Sequence, residues 1–455
     1  MASAGAAVTV VERCAVSPPP RSVPPATLPL TFLDIPWLFF SPTQPIFFFA
    51  SAAAAAAANF TQTVVPKLKH SLSLALRHFF PLAGKLVIPA ALSAEPHLEY
   101  NESDSVLLVV AAAADGCEFK NLAGNHRRDG RRFRRLVPEI GGGDGGKRPV
   151  LAVQITVFPE MGICIGFTLR NVAADWRTFN NFLKNWASLC KSGGDLLDAG
   201  RHVASHDRSV ILDSGGLRSF FLTEFWKMAK NVKDVNFDDS EIVRATFVLG
   251  PKEMEQIKKW ILTRSDLLFG STQLLLSPYV IVCAFIWVCW IKTHWSTNMI
   301  TRKDIVHYFG FIAGGLTRMP YAVPSTYVGN CVGFGRSAAI REELAGKDGV
   351  VFAAKAIGDT VKKLNGDMLG GARNWIAEWK EMRESELHVT VTGSPKLDLY
   401  ELDFGWGRPE KFEEVSIGTG AISLSESREV IGGIEVGVAL PRLKMDAFST
   451  LFNEV

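Results

Sequence analysis

The residues best suited to chemistry gather in one short segment, Arg170-Asn171-Val172-Ala173-Ala174-Asp175-Trp176-Arg177. Asn171 offers an amide, which donates and accepts hydrogen bonds but takes up no proton near neutral pH. Asp175 offers a carboxylate, and Arg177 offers a guanidinium that could bind a substrate carboxylate through two parallel hydrogen bonds. A salt bridge at a helix N-terminus explains Arg177 equally well. This segment is the first candidate for a functional site.

The segment is expected to leave a strand and enter a helix. Ile163 to Leu169 is short and mostly apolar, which is typical of a buried strand. Asp175 or Thr178 can cap a helix that follows. Apolar residues recur at helical spacing beyond the cap, at Phe179, Phe182, Leu183 and Trp186. Loops that join such elements commonly carry function in mixed α/β proteins.

Composition excludes several classes of protein. The 455 residues carry a net charge of only +3, which argues against a nucleic-acid partner. The basic runs 126–135 and 141–148 are predicted as solvated loops rather than an anion-binding patch. The seven cysteines include no C-x-x-C pair, which argues against a disulfide framework or a zinc ribbon and favours the cytoplasm. No metal cluster, redox cofactor motif or secretory signal is predicted.

One uncharged stretch could be either a membrane-spanning helix or a buried core helix. Leu274 to Ile291 is 18 residues long, which is near the lower limit for a spanning helix. Its Ser277-Pro278 pair and the lack of a second candidate span favour a buried core helix. No membrane partner is therefore expected.

Strands and helices alternate in both halves of the chain, which predicts two layered α/β domains. We place an N-terminal domain at 1–190, a Gly-, Asp- and His-rich linker at 191–240 and a C-terminal domain at 241–455. Further helices are expected near 68–79, 252–262, 274–292, 352–383 and 441–453. Strands are expected at 387–392, 397–402, 414–424 and 433–439.

Five segments, in this order along the chain, resemble the BAHD acyl-CoA-dependent acyltransferases of plants. They are TFLDIPW (31–37), LKHSLSLALRHFFPLAGKL (68–86), FNNFLKNWA (179–187), YVGNCVG (327–333) and VTGSPKLDLYELDFGWGRPEK (391–411). DFGWG at 403–407 resembles the second signature of the family, and YVGNC resembles the branch that acylates anthocyanin and other phenolic glucosides. The resemblance implies two similar domains of mixed sheet plus helices with a channel between them.

The resemblance also implies a histidine that is absent here. The family's first signature, H-x-x-x-D-G, supplies a general base for the acceptor hydroxyl, and losing such a base costs about 10²–10⁴-fold in rate. Asn171 stands at the histidine position, Asp175 keeps the structural aspartate, and Trp176 replaces the glycine and is expected to crowd the site. Leu316 stands where an arginine that pairs with the aspartate is usual, and Arg318 is a candidate substitute.

No other histidine has a clear claim to replace the missing base, since His294 is predicted at the surface and His388 within a strand. The candidates for binding CoA or substrate are a set of polar and aromatic residues: Trp176, Arg177, Lys258, Ser271, Thr272, Thr392 and Ser394. For Lys258, a solvated helix face is the competing interpretation. A second set is expected to hold a tight structural loop: Asp403, Gly405, Trp406 and Gly407.

The predicted function is transfer of a malonyl or related acyl group from CoA to a hydroxyl of a phenolic (flavonoid or anthocyanin) glucoside, impaired because Asn171 replaces the base. The alternatives are an inactive member that binds acyl-CoA or phenolic ligands, and slow thioester hydrolysis in the same channel. Acyl-CoA is expected as co-substrate, no cofactor is implied, and the chain is expected to be a cytoplasmic monomer.

Overall fold

The computed structural model describes residues 7–50, 57–89, 94–143, 145–194, 204–229, 241–270, 273–297, 304–385 and 387–454. The strands in these residues are β1 (Val8–Val16), β2 (Ala26–Pro29), β3 (Pro45–Ala50), β4 (Lys85–Val87), β5 (His97–Tyr100), β6 (Val106–Ala113), β7 (Arg128–Asp129), β8 (Lys147–Pro149), β9 (Leu151–Phe158), β10 (Gly162–Leu169), β11 (Ile242–Leu249), β12 (Val306–Gly314), β13 (Val332–Ile340), β14 (His388–Gly393), β15 (Lys411–Glu414), β16 (Ala421–Glu426) and β17 (Ile434–Pro441). The helices are α1 (Ala57–His78), α2 (Glu118–Ala123), α3 (Gly130–Arg134), α4 (Trp176–Lys191), α5 (Leu217–Ala229), α6 (Pro251–Phe269), α7 (Pro278–Thr297), α8 (Arg341–Ala345), α9 (Gly349–Gly366), α10 (Trp375–Glu384) and α11 (Arg442–Phe452).

The first half of the chain builds a mixed sheet in the order β1-β6-β9-β10-β3-β15. All its strand pairs are antiparallel except β6 with β9. Every residue of β10 is buried, because both faces of the sheet are covered. Ile163, Ile165 and Phe167 point to the core beneath α1 and α4, and Cys164 points to a smaller core on the other face. A second small sheet, β2-β5-β4-β8, lies in the same half.

The second half builds a larger mixed sheet in the order β13-β12-β14-β16-β17-β11-β7. Strand β14 pairs in parallel with β12 and β16, and the other pairs are antiparallel. Helix α7 contains most of the uncharged stretch; its residues from Val280 to Ala284 are all buried, and the helix packs against α9 and α11. None of the helices in the described part of the chain has the length and apolar character that a bilayer crossing requires.

The two sheets exchange strands. Strand β15 lies in the second half of the chain but pairs with β3 of the first sheet, and β7 lies in the first half but pairs with β11 of the second. Charged residues are buried where these strands meet: Arg128 lies 2.6 Å from Glu413, and Lys411 lies 2.9 Å from Glu435. The prediction that run 126–135 is a solvated loop is therefore wrong at Arg128, whose side chain is fully buried.

The prediction of two α/β domains with mixed sheets is confirmed. The limits 1–190, 191–240 and 241–455 stay a prediction, as does the channel. Part of the expected linker is not structureless, since α5 buries Leu217, Phe221 and Phe225 against the first domain's core.

Three predicted elements were wrong in detail. The helix expected over 352–383 is two helices, because the Asp367 side chain accepts hydrogen bonds from the Leu369 and Gly370 amides and turns the chain. The strand expected at 397–402 is a 3-10 turn over Leu399–Glu401 that follows Asp398 in a left-handed conformation. The strand expected over 414–424 is two strands, β15 and β16, in different sheets.

Candidate active site

The loop between β10 and α4 is fixed at both ends by main-chain contacts. At its start, the Arg170 amide donates to the Val150 carbonyl at 2.9 Å, and the Arg170 guanidinium donates to the Pro149 carbonyl at 2.9 Å. At its end, Asp175 is the N-cap of α4. The strand–loop–helix arrangement expected from the sequence is thus present.

Asp175 is buried and binds two main-chain amides from different halves of the chain. Its Oδ1 accepts a hydrogen bond from the Thr178 amide at 2.7 Å, and its Oδ2 accepts one from the Cys331 amide at 2.9 Å. Within the described residues, the guanidinium that approaches it is that of Arg177, whose Nε lies 3.9 Å from Oδ1. Backbone donors and a neighbour within the same motif therefore surround this carboxylate.

Arg318 does not pair with Asp175 in place of the arginine that the family resemblance expects at Leu316. Its guanidinium donates to the Asn365 side chain and to the Gly314 carbonyl, each at 2.7 Å. Leu316 is partly buried and packs against the first domain's core. The Cys331 amide occupies one side of the Asp175 carboxylate instead.

Asn171 is half-buried and is hydrogen-bonded through both its side chain and its main chain. Its Nδ2 donates to the Ser41 carbonyl at 3.2 Å, and its main-chain carbonyl accepts from the Asn330 side chain at 3.0 Å. A carbonyl oxygen takes up no proton near neutral pH. The hydrogen-bond partner of Asn171 therefore supplies no base.

Trp176 and Arg177 both pack against neighbouring structure. The indole of Trp176 meets the rings of Phe179 and Phe412 edge-on, with centroids 5.9 and 5.8 Å apart. The Arg177 guanidinium donates to the carbonyls of Ser325 at 2.9 Å and Tyr327 at 2.8 Å. Its predicted role in binding an acyl carboxylate stays a prediction, and such binding would compete with these carbonyls.

The YVGNC segment fastens the loop from the other half of the chain. The Gly329 carbonyl accepts a hydrogen bond from the Thr178 hydroxyl at 2.8 Å. Gly329 has φ +152, and a side chain there would collide with Arg208, so glycine is required. Together with the Cys331 amide and the Asn330 side chain, this segment contacts the loop at successive points.

The DFGWG loop lies at the far end of α4. The Asp403 carboxylate accepts hydrogen bonds from the amides of Gly405 at 2.8 Å and Gly407 at 3.0 Å, and the Lys191 ammonium lies 2.6 Å away. Burial raises the pKa of Asp403, but these donors outweigh burial and hold it below its usual value. The Trp406 ring stacks on Phe404 at 5.6 Å. These contacts are those of a tight structural loop.

The other residues predicted to bind CoA or substrate that the structure describes lie on separate elements of the second domain. Lys258 is in α6 of the second domain, 3.8 Å from Glu255, which agrees with a solvated helix face. Thr392 and Ser394 flank the end of β14 and are half-buried. Ser271 and Thr272 lie outside the described residues. Their roles in binding stay predictions.

Sequence reasoning missed two buried charged residues beside the loop. Asp34 accepts from the Asn330 amide nitrogen Nδ2 at 2.9 Å, and Arg208 lies 3.5 Å from Asp34. Asp34 could have been noticed as the one charge within the apolar segment TFLDIPW. Arg208 carried no such signal, because it lies in a polar segment without periodicity.

His294, predicted at the surface, is instead largely buried, and burial lowers its pKa to about 4.

A model of the Transferase family matches residues 6–455. The chain belongs to the BAHD acyltransferase family. It is 36% identical over 460 residues to an Arabidopsis thaliana coumaroyl-CoA:anthocyanidin 3-O-glucoside-6''-O-coumaroyltransferase, covering 98% of this chain and 97% of that one. It is 35% identical over 463 residues to a Dahlia pinnata malonyl-coenzyme A:anthocyanin 3-O-glucoside-6''-O-malonyltransferase, again covering 98% and 97%.

The BAHD fold is also matched by solved structures. The crystal structure of vinorine synthase superposes with a TM-score of 0.70 at 20% identity, covering 97% of this chain and 96% of that chain. At that identity the likeness establishes the two-domain fold and nothing about substrates. By family, this BAHD protein is an acyltransferase.

Proposed function

We propose that this protein binds an acyl-CoA and a phenolic glucoside and transfers a malonyl or related acyl group to a sugar hydroxyl, slowly. The observation that supports the slow rate is the side chain of Asn171, which the family resemblance places at the general-base position and which hydrogen-bonds to the Ser41 carbonyl. Positioning two substrates side by side still accelerates their reaction without a base. Losing the base costs about 10²–10⁴-fold in rate.

Among the described residues, the nearby thiol of Cys331 and phenol of Tyr327 do not take over the role of base. Burial, and then the negative charge of Asp175, raise the pKa of the Cys331 thiol to about 12, so it stays protonated. Burial also raises the pKa of the Tyr327 phenol above its usual value. His294 and His388 lie in α7 and β14 of the second domain. We propose that the acceptor hydroxyl loses its proton to water or to the leaving thiolate.

A row of four half-buried aromatic rings supports an aromatic acceptor. Phe40 adjoins Ser41, the partner of Asn171, and its ring lies 5.0 Å from Trp37 and 4.7 Å from Trp379. The Trp379 ring in turn meets Phe334 at 5.9 Å. Partly exposed aromatic rings offer stacking surfaces worth about 0.5–1.5 kcal/mol per pair. We propose that the phenolic part of the acceptor stacks on this aromatic row.

The cell compartment and assembly state are also part of the proposal. All seven cysteines lie in the described part of the chain and are free thiols, which supports a reducing compartment such as the cytoplasm. We propose that the protein acts there as a monomer. The sites discussed above are formed within a single chain.

The proposal is tested by a steady-state assay of the purified protein with malonyl-, acetyl- and hydroxycinnamoyl-CoA against a panel of phenolic glucosides. Native protein, Asn171→His and Asn171→His/Trp176→Gly are compared at equal concentration. We expect slow acyl transfer by the native protein, little gain from the single change if Trp176 crowds the site as predicted, and a large gain from the double change. Native turnover as fast as that of the double variant would refute the impaired-catalysis part.

A competing function, ligand binding without turnover, is favoured by the same absence of a base at Asn171. Calorimetric titration of acyl-CoA and of each glucoside separates the two. Binding of both ligands without any acylated product, even after prolonged incubation, would support the function of ligand binding without turnover.

Replacing Trp379 by Ala should weaken glucoside binding about 2- to 10-fold, while the exposed Trp260 on α6 serves as the matched control. Equal effects at both tryptophans would count against the aromatic row.

A further inference from the structure

The side chain of Asn330 links the second domain to main-chain carbonyls of the loop between β10 and α4, residues 170–175, which we call the motif loop. Asn330 is completely buried. Its Nδ2 lies 2.9 Å from Asp34 Oδ1, 3.0 Å from the Asn171 carbonyl and 3.1 Å from the Val172 carbonyl. One NH₂ group therefore contacts three oxygen acceptors from two separate segments of the first domain.

The chemistry of these neighbours determines the orientation of the amide. All three are acceptors, so only the NH₂ end can face them. The Oδ1 end is buried and has no hydrogen-bond partner within the described part of the chain. A flipped amide would place four oxygens together. The three contacts of the NH₂ end offset the free-energy cost of burying the unpaired oxygen.

Asp34 fixes the position of Asn330 by accepting hydrogen bonds from it. Its buried carboxylate accepts from the Thr31 amide at 2.8 Å and the Thr31 hydroxyl at 2.7 Å, in addition to Asn330. Arg208 lies 3.5 Å from the same carboxylate and donates to the Tyr327 hydroxyl at 2.7 Å. Burial lowers the pKa of Arg208, but Asp34 and Tyr327 more than offset this, so Arg208 stays charged. The cluster is a paired buried charge rather than an isolated one.

We propose that Asn330 is a positioning residue that sets where side chain 171 stands in the acyl-transfer site. It acts through the main chain of Asn171 and Val172 and is itself anchored by Asp34 and Arg208. The family resemblance expects an arginine partner for the motif aspartate at the position of Leu316, whereas in this structure the loop is held by Asn330 and by the Cys331 amide. The catalytic meaning of this proposal rests on the function proposed above, whereas the structural meaning does not.

The first test is hydrogen–deuterium exchange of the full-length protein, read by mass spectrometry for the peptide covering 170–176. Asn330→Leu keeps the volume and removes both carbonyl contacts. Because each contact is worth about 1 kcal/mol, exchange there should accelerate about 5- to 30-fold. Asn330→Asp sets a carboxylate against the Asp34 carboxylate and should accelerate exchange further.

The matched control is Asn180→Leu. Asn180 is also buried in this region, and its amide donates to the Leu397 carbonyl rather than to the motif loop. Its loss should accelerate exchange near 397 and leave 170–176 as in the native protein. Unchanged exchange at 170–176 in Asn330→Leu, or an equal change there in Asn180→Leu, would overturn the proposal.

The second test asks whether the loop position matters to the reaction. In the Asn171→His/Trp176→Gly background, adding Asn330→Leu should lower kcat about tenfold or more while the KM for acyl-CoA stays within about twofold, since misplacing a reacting group slows chemistry rather than binding. A rise in KM with unchanged kcat would contradict a positioning role. Absence of acyl transfer in the parent double variant would count against the proposed function and would leave the exchange result to decide the role of Asn330.

Discussion

Replacement of Asp175 by Ala should destabilise the protein through two separate losses. Asp175 caps α4 by accepting from the Thr178 amide at 2.7 Å, and loss of such a cap costs about 1 kcal/mol. Its Oδ2 also satisfies the buried Cys331 amide at 2.9 Å, and leaving that amide without a partner costs about 1–3 kcal/mol. The expected sum is about 2–4 kcal/mol.

Differential scanning calorimetry measures this loss directly. For a domain of this size, 1 kcal/mol shifts Tm by about 2–4 °C, so the Asp175→Ala domain transition should fall by about 4–16 °C. Asp175→Asn keeps an oxygen for the cap but sets an NH₂ group near the Cys331 amide, so it should lie between Ala and native. Asp207→Ala removes an exposed cap, since Asp207 accepts from the Ser209 amide at 2.8 Å, and should shift Tm least. A change for Asp175→Ala no larger than for Asp207→Ala would refute the reasoning.

Three further predictions concern stability. The pKa values of His206 and His294 are lowered from 6.5 to about 4, chiefly by burial, so the unfolded chain binds more protons than the folded chain between these two pH values. The stability that these histidines contribute should be complete above pH 6.5 and should fall as the pH drops toward 4. Urea midpoints measured across this range should fall less in the His206→Gln and His294→Gln variants. Arg128→Met breaks a buried ion pair of 2.6 Å and should cost about 3–5 kcal/mol in urea unfolding, whereas Arg131→Met at an exposed pair should change little. Trp176→Gly deletes a half-buried ring and should cost about 1.5–3 kcal/mol, roughly half of the 3–5 kcal/mol typical of a fully buried ring, and an unchanged Tm would contradict its observed packing.

Much of the fold could be predicted because local patterns were strong. The apolar run Ile163 to Leu169 and the helical spacing that starts at Phe179 identified β10 and α4, and both formed with Asp175 as cap. Errors arose where tertiary contacts decide. The residues from 414 to 424 read as one strand, but Glu414 ends a strand in the first sheet and Ala421 begins one in the second. No local pattern reports such an exchange between sheets.

The motif loop was placed correctly from the sequence, but its supports were not. The family resemblance suggested Arg318 as a substitute partner for Asp175, whereas in the structure Asp175 accepts from the main-chain amides of Thr178 and Cys331. No side-chain pattern can reveal the contact with Cys331. Asn330 and Asp34 were present in quoted segments, yet their contact joins residues 296 positions apart. Long-range polar contacts of this kind depend on the folded path of the chain, and sequence spacing says nothing about them.

The most direct test of the account is the ratio of kcat/KM between Asn171→His/Trp176→Gly and the native protein, with one acyl-CoA and one phenolic glucoside under identical conditions. If the scaffold and its substrate sites are intact and only the base and the space beside it are missing, the ratio should be about 10²–10⁴. A ratio near one, with the native protein already active, would contradict the claim that Asn171 limits turnover.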